Sequence, residues 1–116
     1  MPAGEAKLFI GQLHFDADEN DVRQLFEHYG SVLHVNILRD KQTSRSTGSA
    51  FVTFGSTEEA DAAILALHNI YNMERERPLQ VSYCERTSTI SQFGYEHANR
   101  LAAENSANPR PRHVGA

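Results

Sequence analysis

Two phenylalanines, Phe9 and Phe51, are the side chains of this sequence best placed to do chemistry. They lie in two short apolar runs, Leu8-Phe9-Ile10-Gly11-Gln12-Leu13 and Thr47-Gly48-Ser49-Ala50-Phe51-Val52-Thr53-Phe54. Both runs read as β-strands. Side chains alternate faces along a strand, so Ala50, Val52 and Phe54 share a core face, as do Leu8 and Ile10, and the two phenyl rings point the other way. An outward aromatic on a sheet is a stacking platform, and an unstacked nucleobase has the flat face that suits it. The competing reading is that the chain covers the rings itself, through Phe93 or Tyr95 of its C-terminal part.

No catalytic set competes for the site. His14, His28, His34 and His68 fall on different elements, no nucleophile has a base partner, and no phosphate-cradling loop is present. The six histidines are scattered and never at ligand spacing, so neither a metal nor another cofactor is expected, and no enzyme. The single cysteine, Cys84, allows no internal disulfide and points to a reducing compartment. Its strand holds no basic neighbour to activate the thiol, so it reads as a small side chain. No run of eighteen apolar residues marks a membrane span, and the N-terminus has no apolar signal region. The location implied is intracellular, in nucleus or cytoplasm, with a mitochondrial place left open.

The 116 residues, 40% of them hydrophobic, suffice for one small core and a tail. The abrupt ends read as those of a piece of a longer protein. The net charge of −4 argues against a dedicated duplex-DNA binder. Its distribution says more. Asp16, Asp18, Glu19 and Asp21 gather at the start of one predicted helix, and Glu58, Glu59 and Asp61 at the start of another, where they complement the helix dipole. Lys7, Arg39, Lys41 and Arg45 fall on or beside strands. The helical side is therefore acidic and the sheet side mildly basic, which steers a polyanion towards the sheet.

The elements that must position these groups follow from periodicity. A strand over 7–13 precedes a helix over about 19–29, capped by Asp16 or Asp18, with Val22, Leu25, Phe26 and Tyr29 at helical spacing and Gly30 as its C-terminal cap. The second strand, 32–38, turns Val35 and Ile37 inward and His34, Asn36 and Leu38 outward. A polar hairpin loop, 40–47, leads to the third strand, 48–54. Ser56 or Thr57 caps a helix over about 58–68, with Ala60, Ala63, Ile64 and Leu67 along its apolar stripe. A loop with room for a small hairpin, 69–77, leads to the last strand, 79–84. There Leu79, Val81 and Tyr83 share one face and Gln80, Ser82 and Cys84 the other. The order β-α-β-β-α-β predicts an α+β, ferredoxin-like domain: a four-stranded antiparallel sheet with two helices on one face only.

Residues 87–104 read as a linker and a short C-terminal helix. Ser91 is its cap, Phe93, His97, Ala98 and Leu101 lie along one side, and Gly94 weakens it by about 1 kcal/mol relative to alanine. It is too apolar for a free linker and is expected to dock on the domain, away from the centre of the sheet, or on a second copy. From Asn105 to Ala116 the composition reads as disordered.

The two strands that carry Phe9 and Phe51 resemble the paired signatures of the RNA-recognition motif, whose octamer runs K/R-G-F/Y-G/A-F-V-x-F/Y. Gly48, Ala50, Phe51, Val52 and Phe54 match it. Thr47 replaces the basic residue and Ser49 the first aromatic, which lowers the number of stacking contacts. In the hexamer, Gln12 stands where asparagine is commoner. The resemblance covers residues 7–86 and implies single-stranded RNA as the partner. On residues 7–11, 26–30 and 62–68 the chain is similar to the Bruno/CELF and Hu type, which implies uridine-rich or GU-rich RNA; RRM proteins of trypanosomatid RNA processing are also similar.

On this reading Phe9 and Phe51 stack bases, and Ser49 offers a hydrogen bond but no plane. Lys7, Arg39, Lys41, Arg45 and Arg86 meet phosphates. Asn36, Leu38, Gln80, Ser82 and Cys84 line the face beside the rings, where polar groups can read base edges. The plain alternative for the basic groups is solubilising charge. For Arg75 and Arg77, which alternate with Glu74 and Glu76, a solvated loop is the better reading. The alternative for the whole domain is a protein-interaction RRM, binding a partner or a second copy, though residues 75–78 lack the aromatic of the Arg-x-Phe motif that peptide-binding members carry.

Overall fold

The protein is described here by a computed structural model that covers residues 5–73, 77–105, 108, 109 and 111. The elements run β1 (Ala6–Gly11), α1 (Glu19–Phe26), β2 (Val32–Arg39), β3 (Ser46–Phe54), α2 (Thr57–Leu67), β4 (Gln80–Tyr83) and α3 (Gln92–Glu104). The strands form one antiparallel sheet in the order β2-β3-β1-β4, so the expected ferredoxin-like arrangement is the one observed. The two signature strands, β1 and β3, are its central pair.

Period-two burial builds the sheet. Leu8, Ile10, Ala50, Val52, Phe54 and Val81 are fully buried against α1 and α2. Val22 and Phe26 from α1, and Ala60, Ala63, Ile64 and Leu67 from α2, close the other side of this core. The rings of Phe26 and Phe54 stand 6.3 Å apart. Removing either ring would cost about 3–5 kcal/mol.

Local chemistry sets the helix ends. The Asp18 carboxylate accepts from the Asp21 amide and Asp21 returns the contact to the Asp18 amide, a capping box that starts α1. Ser56, not Thr57, caps α2 by accepting from the Glu59 amide. Helix α1 stops at Phe26, three residues before its predicted end. Gly30 is not a left-handed cap, for its φ is not positive. It is required by close approach: a Cβ there would collide with the Glu59 side chain, whose carboxylate accepts from the Ser31 amide.

The C-terminal helix forms with Ser91 as its cap and docks on the same domain, along the outer edge of β4. Gly94 lies against the ring of Tyr83, and any Cβ at 94 would penetrate that ring. The Tyr83 hydroxyl donates to Asp61 of α2 at 2.8 Å, and the Ser91 hydroxyl donates to the same carboxylate oxygen at 2.8 Å. Desolvation, then the Asp61 carboxylate, push the Tyr83 phenol well above its ordinary range. One carboxylate thus ties α2, β4 and the start of α3 together.

Two histidines finish the edge. The Val81 amide donates to His68 Nδ1 at 2.9 Å, and the Val81 carbonyl accepts from His97 Nε2 at 2.9 Å. An open strand edge is a template for pairing with other chains, and these bonds remove it. The two rings meet edge to face at 4.4 Å, and Phe93 stacks on His97 at 5.9 Å. Burial holds both imidazoles neutral: His68 is lowered to about 4 by desolvation, with His97 and Arg100 adding to it, and desolvation likewise lowers His97.

The connection from β4 to α3 is more than a linker. Thr87 Oγ1 accepts from the Lys7 amide, the Thr89 amide donates to the Glu5 carbonyl, and Ile90 is buried in the core. The expected disordered tail, 105–116, lies largely outside the described residues. Of those described, Asn108 donates through Nδ2 to the Leu101 carbonyl and Pro111 is buried. Glu74, Arg75 and Glu76 are also outside the described residues, while Arg77 is exposed.

Candidate nucleic-acid interface

The sheet face opposite α1 and α2 carries a continuous row of side chains. Across the four strands, Asn36, Phe51, Phe9 and Ser82 are successive register partners. Phe9 and Phe51 are half-buried, and their rings meet edge to face at 5.9 Å and 63°. Pairing across β1 and β3 fixes this spacing, since each ring stands on a central strand braced from beneath by the core. Two ring faces so held can accept two bases or a base and a sugar.

Lys7 lies one pleat along the same face, paired with Thr53, and its Nζ sits 4.8 Å above the Phe51 ring. This cation–π contact parks a positive charge where a phosphate between stacked bases would pass. The next row is completed by His34, exposed on β2 and paired with Thr53.

The loop between β2 and β3 is a structured turn. The Asp40 carboxylate accepts from the amides of Gln42 and Thr43, and these bonds lower its pKa. The Asp40 amide and the Arg45 carbonyl close the turn at 2.8 Å, leaving Lys41 and Arg45 exposed at the edge of the face. Arg39 is less available than the sequence implies. Its guanidinium contacts Glu19 at 3.3 Å and donates to the Ser44 carbonyl, so it is drawn towards the start of α1. Leu38 is half-buried, and its carbonyl accepts from the Thr47 hydroxyl.

Strand β4 corrects the sequence picture of an open polar row. Ser82 on β4 and Cys84 just past it are each 4% exposed. Their side chains are closed to a ligand, and desolvation raises the Cys84 thiol above its ordinary value. Gln80 and Arg86 remain at the surface, Gln80 half-buried and Arg86 exposed.

Two backbone positions explain the signature spacing. Gln12 has φ 63° and Gly48 has φ 87°. Asparagine tolerates the left-handed region better than glutamine does, which is why it is the commoner residue at position 12. Gly48 supplies its carbonyl to the Leu13 amide at 2.9 Å, locking the end of β1 onto β3. Beside this junction Phe9, Gly11, Gln12, Thr47, Gly48, Ser49 and Gln80 surround a shallow cleft, and Asn108 enters its lining. Nothing in the composition of the tail marked Asn108 as a site residue. Among the described residues no His/Cys/Asp/Glu group is arranged to hold a metal.

The architecture is that of a sheet-platform binding domain. The family model for the RNA recognition motif matches residues 8–77, and the chain belongs to that family. It is 44% identical over 80 residues to the flowering time control protein FCA of Oryza sativa subsp. indica, covering 68% of this chain and 11% of that protein. It is 45% identical over 89 residues to the mitochondrial glycine-rich RNA-binding protein 3 of Arabidopsis thaliana, covering 77% of this chain and 28% of that one. The chain therefore spans a minor part of these curated relatives. Among solved structures it is similar to a Sex-lethal protein in complex with RNA, with TM-score 0.63 and 38% identity over 70% of this chain and 51% of that one. It is also similar to the first two RRM domains of the yeast poly(U)-binding protein, with TM-score 0.60 and 27% identity over 72% and 49% of the two chains. No helix among the described residues is long and apolar enough to cross a membrane.

Proposed function

We propose that the outer sheet face binds single-stranded RNA, uridine-rich or GU-rich, as one module of a larger RNA-processing or regulatory protein. The observation that carries this reading is the pair Phe9 and Phe51, fixed 5.9 Å apart on the face that α1 and α2 leave uncovered. Bases stack on the two rings. Lys7, Lys41, Arg45 and Arg86 meet phosphates, with Arg39 joining if it leaves Glu19. Asn36 and Ser49 reach base or sugar edges. The relatives whose names contain RNA binding or poly(U) binding support this reading. The domain runs over 7–86, acts by binding alone without a cofactor, and works in the nucleus, the cytoplasm or a mitochondrion.

The test is a titration with labelled U-rich, GU-rich, A-rich and C-rich oligomers, followed through backbone amide shifts. Shifts confined to β1, β3 and the 40–45 loop, largest with the U-rich or GU-rich oligomer, are expected. Shifts confined to α1 and α2 would overturn the proposal. A second reading, a protein-partner surface, is favoured by Leu65, Ile70 and Tyr71, which are 64%, 67% and 41% exposed on or just after α2. Sedimentation of the free protein tests its homodimer form.

A further inference from the structure

Beyond the end of α3, Asn108 lies at the sheet face. Asn108 lines the cleft formed by Phe9, Gly11, Gly48, Ser49 and Gln80, a space of about 300 Å³. Gly11 and Gly48 put no side chains into it, so its floor is backbone and one wall is the Phe9 ring.

The orientation of the two amides in this cleft follows from their partners. Asn108 Nδ2 donates to the Leu101 carbonyl at 3.0 Å, and its own backbone amide donates to the Asn105 carbonyl at 3.0 Å. A carbonyl only accepts, so the NH2 end of Asn108 must face Leu101 and Oδ1 is left as an acceptor. Gln80 Nε2 is surrounded by three oxygens, those of the Asn69 side chain, Pro78 and Leu79, at 3.3–3.5 Å. By the same reasoning its Oε1 is turned away from them. Each amide therefore brings a free carbonyl oxygen to the lining of the cleft beside an aromatic ring, while its NH2 group is engaged with the Leu101 carbonyl or with the oxygens of Asn69, Pro78 and Leu79.

We infer that Asn108 is a specificity-determining residue of this face, its Oδ1 acting with Gln80 Oε1 to read the Watson–Crick edge of a guanine stacked on Phe9. Guanine is the base with two adjacent donors on that edge, N1–H and the N2 amino group. Uracil offers one N–H between two carbonyls, and adenine and cytosine place a ring acceptor beside the amino group, so each sets an acceptor against an acceptor here. Helix α3 is the strut that makes this possible: the His97 bond to Val81 and the Gly94 contact with Tyr83 fix its axis, and its Leu101 carbonyl then fixes Asn108. The inference rests on the proposed use of the sheet face for RNA.

The experiment compares two oligomers, an all-uridine run and the same run with one central guanosine, against the full chain, Asn108→Ala, a truncation after Asn105, and Phe9→Ala. The full chain is expected to prefer the guanosine oligomer. Asn108→Ala and the truncation should each lose about three- to tenfold on it, the worth of one hydrogen bond, and little on the all-uridine run. Tighter binding by the truncated chain would show the segment to be a competing lid and overturn the inference. Equal loss on both oligomers, or none on either, would overturn it too. Failure of Phe9→Ala to weaken either oligomer would instead remove the sheet-face reading beneath it.

Discussion

Gly94→Ala isolates the role of α3, because helix propensity and packing give it opposite signs. On an isolated helix the substitution is favourable by about 1 kcal/mol. Here the new methyl would enter the ring of Tyr83, a side chain with no exposed surface and a hydroxyl held by Asp61. The ring cannot swing aside without breaking that bond, so α3 must shift outward. Overpacking of this kind costs about 1–3 kcal/mol, and a lifted helix also exposes His97, Ala98 and Ala102 and takes the donor from the Val81 carbonyl. We expect a net loss of roughly 1–2 kcal/mol in urea unfolding and a fall of roughly 4–10 °C in Tm. Faster exchange of the Val81 amide should accompany it. A variant as stable as the parent, or more stable, would refute the packing argument and leave α3 an undocked helix.

Four other outcomes follow from the same geometry. Asp61→Ala leaves the Tyr83 hydroxyl only its 3.4 Å contact with the Thr57 carbonyl, removes the acceptor of the Ser91 hydroxyl, and should destabilise the fold by about 1–3 kcal/mol in the same unfolding assay. Burial lowers His68 from 6.5 to about 4 and lowers His97 as well, so the unfolded chain binds more protons below 6.5; stability should fall as pH drops from 6.5 towards the His68 value, and the fall should shrink in His68→Gln, read as Tm against pH. Two to four phosphate contacts predict a log–log salt slope of about −1.5 to −3 for RNA affinity, and a slope steeper than about −5 would reveal a basic surface beyond Lys7, Lys41, Arg45 and Arg86. Arg45→Ala should weaken all sequences alike in the oligomer titration, since phosphates carry no base identity.

The element order and the outward rings were legible in the sequence because strand alternation assigns faces directly: Phe9 and Phe51 could not join Leu8 and Val52 in the core. The helix N-caps were legible from local chemistry, as Ser91 for α3 and to within a choice of two residues for α1 and α2. What periodicity hides is contact between distant residues. Gly30 and Gly94 read as a cap and a weak helix position, yet each is demanded by a side chain from another element, Glu59 and Tyr83. His68 and His97 read as scattered, and only the fold brings both to Val81. Ser82 and Cys84 read as open outer-face positions, yet the folded chain buries both, which no pattern within β4 encodes. Asn108 lay in a stretch whose Asn-Pro-Arg-Pro composition carries no signal of packing.

The central claim is that the two rings on the open face hold RNA, and the double variant Phe9→Ala, Phe51→Ala tests it most directly. Neither ring belongs to the core, so circular dichroism and Tm should show an intact fold. Fluorescence anisotropy with a labelled GU-rich oligomer should then show binding weaker by about 2–4 kcal/mol, the stacking of two bases allowing for non-additivity. Unchanged affinity in the folded double variant would contradict the account and move the RNA site off the sheet.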